Sequence, residues 1–187
     1  GAFPSVSLGW NIMNESFMKS TKSWLNNLKL RAGWGITGVI PGSSYLSLLR
    51  YSYNGGNYYR NGKWNKGLKA ASNPNPDLKW ETAREFNVGI DWSVFNDRLS
   101  GSFDYYNKKT SDMLYDYTVP SPPNLYTTTT ANVGEMRNTG FELMIKGVPV
   151  QTKDWRWETQ ATLQHNSNKL VSLSNDLYQT DNTQWLQ

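Results

Sequence analysis

From Lys79 to Val94, bulky and polar residues alternate along the chain. Phe86, Val88, Ile90, Trp92 and Val94 take the even positions, and Asn87, Gly89, Asp91 and Ser93 the odd ones. A period of two predicts a strand with one apolar and one polar face. Five further segments share it. Pro4 to Met13 sets Val6, Leu8, Trp10 and Ile12 on one face, and Asn27 to Gly35 opposes Leu28, Leu30, Ala32 and Trp34 to Lys29, Arg31, Gly33 and Gly35. Arg98 to Lys108 opposes Leu99, Gly101, Phe103 and Tyr105 to Ser100, Ser102 and Asp104. Around Gly134 to Val148, Phe141, Leu143 and Ile145 oppose Glu142, Met144 and Lys146; in Asp154 to Asn166, Trp155, Trp157, Ala161 and Leu163 oppose Arg156, Glu158, Gln160 and Gln164.

The connections alternate in length. A tight turn at Asn96-Asp97 and a short link, Pro149 to Lys153, contrast with long gaps at Gly38 to Leu78, Ser111 to Val133 and Ser167 to the end. An antiparallel meander puts successive turns at opposite ends, so short turns gather at one end and long loops at the other. Asn14 to Asn26, on the short-turn side, is intermediate in length; its Phe17, Met18, Trp24 and Leu25 predict a small interfacial helix.

Long alternating strands, this turn asymmetry and aromatics on the outer faces predict an all-β fold: about six strands of an antiparallel transmembrane β-barrel, with long extracellular loops and short periplasmic turns. A crossing takes about 9 to 11 residues, which Arg84 to Val94 supplies. Barrels of this kind start at about eight strands, and open edges do not sit in lipid. The remaining strands are therefore expected from a longer parent chain, in keeping with a sequence that begins in mid-alternation. A soluble β-sandwich or solenoid alternates in the same way and is the competing architecture.

Composition narrows the chemistry. Nine Trp, eleven Tyr and six Phe supply bulk where a globular core would use aliphatics. With no cysteine and one histidine, His165, neither a disulfide framework, a Cys-based zinc site nor His-centred catalysis is expected, and no metal or cofactor is called for. The 19 Lys and Arg against 15 Asp and Glu are dispersed, which reads as a solvated surface and not as a nucleic-acid footprint. No apolar run reaches the roughly 18 to 20 residues of a membrane helix, and no signal-peptide pattern opens the chain.

Several motifs carry a resemblance. Phe3-Pro-Ser-Val-Ser-Leu-Gly-Trp10, Asn14-Glu-Ser-Phe17, Leu28-Lys-Leu-Arg-Ala-Gly-Trp-Gly-Ile-Thr-Gly38, Asn75-Pro-Asp-Leu-Lys-Trp-Glu-Thr82, Phe103-Asp-Tyr-Tyr-Asn-Lys-Lys-Thr110 and Asn132-Val-Gly-Glu-Met-Arg-Asn-Thr-Gly-Phe-Glu142, in this order and spacing, resemble the C-terminal barrel half of SusC/RagA-like TonB-linked outer-membrane transporters. The resemblance implies a 22-stranded barrel with an N-terminal plug in the outer membrane of Gram-negative bacteria. It implies import of glycans, oligosaccharides or peptides, energy through the TonB complex, and a SusD-like surface lipoprotein as lid. Residues 1–187 would be a partial barrel without the plug or the TonB-contacting segment.

Catalysis finds little support. Glu81 and Glu85 share a strand face about 13 Å apart, too far for a glycosidase pair, although cross-strand carboxylates such as Asp91 and Asp104 remain open. A barrel enzyme of the outer membrane would need a converging acid, base and nucleophile, which the sequence does not offer.

Two sets of residues are candidate contacts. The first long loop holds Tyr45, Tyr51, Tyr53, Tyr58, Tyr59, Arg60 and Trp64, with Asn61-Gly62 as a hairpin turn. Aromatic faces with polar tips suit sugar stacking, a lid partner, or packing within the loops. The second set follows from depth. If Val94, Leu99 and Gly147 mark the short-turn boundary of the membrane, Arg84, Lys109 and Arg137 lie ten residues away on the outward register. A lipid-facing cation costs about 2 to 4 kcal/mol at the midplane and about 0 to 1 near an interface, so the three belong at the long-loop boundary, against lipopolysaccharide phosphates or as solvated pairs. The competing function is a soluble, aromatic-rich carbohydrate-binding β-domain, in which Phe86, Val88, Ile90 and Trp92 would form a dry core.

Overall fold

The computed structural model describes residues 2–40, 42–53 and 55–174. Its strands are β1 (Ser5–Asn11), β2 (Leu25–Val39), β3 (Arg50–Ser52), β4 (Asn57–Arg60), β5 (Lys63–Lys66), β6 (Lys69–Ser72), β7 (Glu81–Val94), β8 (Leu99–Thr118), β9 (Thr128–Gln151) and β10 (Arg156–Ser172). Six of them form one antiparallel sheet in the order β1-β2-β7-β8-β9-β10. These are the six segments that the alternation marks. Register between β1 and β2 sets Val6 opposite Trp34, Leu8 opposite Ala32 and Trp10 opposite Leu30, so the bulky rows of neighbouring strands share a face.

That face is not a dry core. Phe86 and Val88 are exposed, as are Leu8, Trp10, Phe103, Tyr105, Trp157 and Leu163, and among the described residues no large side chain is fully buried. Aromatic stacking continues across strands on this side, with Phe103 against Phe141 at 6.1 Å and Phe141 against His165 at 5.8 Å. An apolar face left open over six strands is what a lipid-facing barrel wall presents, and what a soluble carbohydrate-binding sandwich hides.

The chain divides into two compact units. The first comprises Gly1–Thr37, Ala83–Lys109 and Arg137–Lys169. Its β7–β8 turn uses three consecutive left-handed residues, Phe95, Asn96 and Asp97, with φ of 56°, 55° and 61°. Asn and Asp visit this region at modest cost, whereas Phe is uncommon there. Ser93 Oγ donates to Asp97 Oδ1 at 2.6 Å and Arg98 N to the Phe95 carbonyl at 3.3 Å, closing the turn. Across the next link, Thr152 N donates to the Trp155 carbonyl at 2.7 Å, and Trp155 N to Thr152 Oγ1 at 3.0 Å. In place of the small helix expected between β1 and β2 stand two 3-10 turns, Ile12–Asn14 and Ser16–Thr21. Neither has a side-chain cap at its start, and burial of Met13 and Leu25 holds the segment instead.

The second unit comprises Gly38–Thr82, Thr110–Met136 and Leu170–Gln187, of which residues 175–187, and with them most of the expected final loop, lie outside the described residues. Two small hairpins organise the first long connection. β3 pairs with β6, and β4 with β5. The β4–β5 turn is the expected Asn61-Gly62, both with positive φ (52° and 76°), as a two-residue hairpin turn requires.

The second expected loop, Ser111 to Val133, is largely strand. β8 runs on to Thr118 and β9 begins at Thr128, because the threonines from Thr127 to Thr130 favour extended backbone. Asp112, at φ 58°, interrupts the alternation where it fades in the sequence. Tyr117, Ala131 and Val133 pack into a small buried cluster.

Candidate functional site

Three features of the fold place chemistry, each within one unit. In the first unit, on the polar face, Arg31 of β2 reaches two carboxylates on successive strands. Its Nε donates to Asp91 Oδ2 at 2.8 Å and its Nη2 to Asp91 Oδ1 at 2.9 Å, a bidentate fork. Nη2 also lies 2.9 Å from Asp104 Oδ1. Gly89 makes the approach possible: a Cβ there would meet the Asp104 carboxylate and sit 2.9 Å from Arg31 Nη2. The three side chains are between 30% and 39% exposed, so the network orients the wall more than it stabilises it. A single cation is thus shared between two carboxylates on neighbouring strands. Lys146 and Glu158 make a second pair on this face at 3.2 Å.

In the second unit, the loop aromatics do not gather into one cluster. Tyr59 and Trp64 pair across the hairpin with rings edge to face at 5.4 Å, while Tyr58 and Arg60 occupy the alternate positions of β4. Tyr51 belongs to β3, Tyr53 follows it, and Tyr45 sits in a turn with φ 62°. All seven candidates are exposed.

The same unit holds a cleft of about 940 Å³ whose lining includes Arg50, Glu81, Tyr115, Asp116, Tyr126 and Thr130. Its acids already have structural partners: Glu81 Oε1 accepts from Leu114 N at 3.1 Å, and Asp116 Oδ1 accepts from Thr130 Oγ1. In the lining of the cleft, Asn73 is buried and links four groups. Its Nδ2 donates to the carbonyls of Tyr126 and Thr128 and to Thr129 Oγ1, and its Oδ1 accepts from Tyr126 N at 2.9 Å. Asn132 similarly ties Lys79, accepting from its N at 2.7 Å and donating to its carbonyl at 2.9 Å. Burial, and then the neighbouring Tyr115, push the Tyr117 hydroxyl above the usual phenol range.

Third, Arg84, Lys109 and Arg137 stand in the first unit on the strand positions of the bulky face. Arg84 continues the row of Phe86 and Val88, Lys109 that of Phe103 and Tyr105, and Arg137 that of Phe141. All three are exposed, and Arg137 Nε donates to Asn107 Oδ1 at 3.2 Å. Among the described residues no three His, Asp or Glu side chains converge as a metal site.

The Arg31 network and the Asn73 hub escaped the sequence reading. Their partners are 60, 73 and 53 to 56 positions away, separations that only strand order brings together. The available signal for Asp91 and Asp104 was their shared polar row on two strands joined by a tight turn, with Asp91 four residues before Phe95 and Asp104 seven after Asp97.

A family model described as "TonB dependent receptor-like, beta-barrel" matches residues 1–185. The chain is 36% identical over 178 residues to TonB-dependent receptor SusC of Bacteroides thetaiotaomicron, covering 93% of this chain and 17% of that protein. To TonB-dependent receptor P39 of Formosa agariphila it is 35% identical over 176 residues, covering 94% and 16%. Among solved structures, the RagAB peptide transporter superposes with a TM-score of 0.77 at 33% identity, covering 97% of this chain and 19% of that one. The chain thus spans roughly a sixth of the length of the curated relatives it matches.

Proposed function

We propose a role that follows from one fact: the chain belongs to the TonB-dependent receptor β-barrel family. Its six strands form part of the wall of an outer-membrane importer. The observation that carries this reading is the sheet's two-sidedness, with bulky side chains exposed on one face and an Arg31–Asp91–Asp104 network on the other. The first face suits lipid and the second a wet lumen. From Arg84 to Val94 the strand extends about 33 Å, which at a tilt of roughly 40° covers the roughly 25 Å apolar band of such barrels.

The whole protein imports a glycan, oligosaccharide or peptide, driven through TonB and covered by a SusD-like lipoprotein. Support comes from the names of the relatives, SusC and a RagAB peptide transporter. The exposed loop residues Tyr45, Tyr51, Tyr53, Tyr58, Tyr59, Arg60 and Trp64 supply contacts to the lid or to the incoming substrate. Arg84, Lys109 and Arg137 meet lipopolysaccharide phosphates, for which the guanidinium fork is well shaped. No catalytic step is assigned to this segment.

The test is made in the full transporter. Replacing residues 57–66 with a short Gly-Ser turn should reduce lid co-purification or substrate uptake while leaving the barrel folded; unchanged lid capture and uptake would remove the loop from the function. Neutralising Arg84, Lys109 and Arg137 together should lower the lipopolysaccharide retained on purification, and unchanged retention would remove the lipid contact.

A further inference from the structure

The segment between β1 and β2 sends its side chains in two directions. Met13, Leu25 and Val94 are buried together, with Met18, Leu28, Trp92 and Leu99 packed against them. Trp92 and Val94 occupy the strand face of Phe86 and Val88, Leu28 that of Leu30 and Trp34, and Leu99 that of Phe103. The connection therefore folds back against the apolar, outward side of the sheet. A connection that merely closed the lumen would have packed on the opposite row, around Asp91 and Ser93.

The connection leaves two bulky side chains exposed, Phe17 at 62% and Trp24 at 48%. The β7–β8 turn adds Phe95 at 58%. Trp24 and Phe95 are fastened together, since Phe95 N donates to the Trp24 carbonyl at 2.8 Å and Asn96 N to Asn26 Oδ1 at 2.8 Å. Phe95 is presented from a left-handed backbone that a bulky residue adopts rarely, and such conformations persist where the surroundings over-determine them. Lys19 and Lys22, both exposed, fall between the aromatics in sequence. Trp24 and Phe95 stand at the ends of β2 and β7, which are adjacent internal strands, so their exposure does not come from an open sheet edge.

We infer that the 12–26 connection and the β7–β8 turn form a phospholipid-binding foot at the short-turn end of the barrel. Phe17, Trp24 and Phe95 enter the headgroup region of the adjoining leaflet, and Lys19 and Lys22 meet its phosphates. Aromatic rings with cationic neighbours on an apolar underside suit that layer, and the Met13–Leu25–Val94 cluster fixes the segment at its depth. The foot is continuous with the outward face, and it rests on the reading of that face as lipid-exposed.

The test uses the full transporter in nanodiscs of phosphatidylethanolamine and phosphatidylglycerol. This chain has no cysteine, so nitroxides at Phe17→Cys, Trp24→Cys and Phe95→Cys are unique within it. Their collision with oxygen relative to a water-soluble nickel chelate should exceed that of a label at Lys153→Cys several-fold. A label at Phe86→Cys separates the two claims. If it reads lipid while the foot labels read water, the foot alone is overturned; if it also reads water, the membrane reading falls with it. Foot labels shielded from both reagents would mean a protein covers the site, which overturns the inference. In the unsubstituted protein, a photoreactive phosphatidylethanolamine headgroup should cross-link within residues 12–26, and absence of such adducts would count equally against it.

Discussion

Arg31 holds Asp91 across the β2–β7 boundary with both arms of its guanidinium, at 2.8 and 2.9 Å, and touches Asp104 with the second. One cation thus stitches three strands on the lumen face. Arg31→Ala leaves two carboxylates on neighbouring strands without their shared partner. At this exposure the loss should be about 1 kcal/mol, read as an earlier unfolding midpoint. A double-mutant cycle with Asp91→Asn should return a coupling energy of similar size, and a vanishing coupling would make the contact incidental.

Close approach explains two glycines, and substitution there should exceed the cost of losing the arginine. A Cβ at Gly101 would fall 2.7 Å from Cζ2 of Trp92, which lies against it, and a Cβ at Gly89 would collide with the Arg31–Asp104 contact. Gly101→Val and Gly89→Val should each destabilise the barrel by roughly 2 kcal/mol, within the range for forced overpacking, measured by the temperature at which the heat-resistant gel mobility of the folded barrel is lost. Equal mobility transitions in variant and parent would contradict the close packing.

Asn73 satisfies one backbone amide and two carbonyls that are otherwise without this partner. Asn73→Ala should cost about 2 kcal/mol, the scale for orphaning buried polar groups. The effect should be local: amide exchange should rise in residues 119–130 and remain unchanged in residues 84–94. Uniform acceleration across both stretches would show that the asparagine holds more than this loop.

At the β4–β5 turn, Gly62 has φ 76°. Gly62→Val should weaken the hairpin by about 1 kcal/mol or more, because a β-branched residue strains in the left-handed region, whereas Asn61→Gly should be tolerated. The Tyr59–Trp64 ring contact reports the outcome through tryptophan fluorescence, and identical spectra in the two variants would contradict the turn assignment.

How far the sequence carried depends on what kind of signal each feature leaves. Phe86 to Val94 and Leu28 to Trp34 alternate cleanly because one face meets an apolar phase and the other a polar one, so their strands stand where the period of two put them. Beyond Lys108 the pattern fails: Asp112 takes a left-handed backbone, and Tyr117, Ala131 and Val133 are buried, so two-sided exposure no longer sets the alternation. The length of β8 and β9 was lost there. Asn61-Gly62 was legible because turn chemistry is local. Arg31 with Asp91 and Asp104, and Asn73 with Tyr126, were not, because their meeting depends on strand order. The connection after β1 was legible as an ordered segment, but its 3-10 form and the hydrogen bond from Phe95 N to the Trp24 carbonyl came only with the fold.

In the proposed barrel wall the even row of β7 faces lipid and the odd row a wet lumen. Single cysteines placed from position 84 to position 94 in the full transporter, in native outer membranes, test it directly. Strict alternation is expected: Phe86, Val88 and Ile90 variants react with a lipid-partitioning maleimide, while Asn87 and Asp91 variants react with a water-soluble one. Even-row cysteines inert to both reagents, as a dry protein core would leave them, would contradict it.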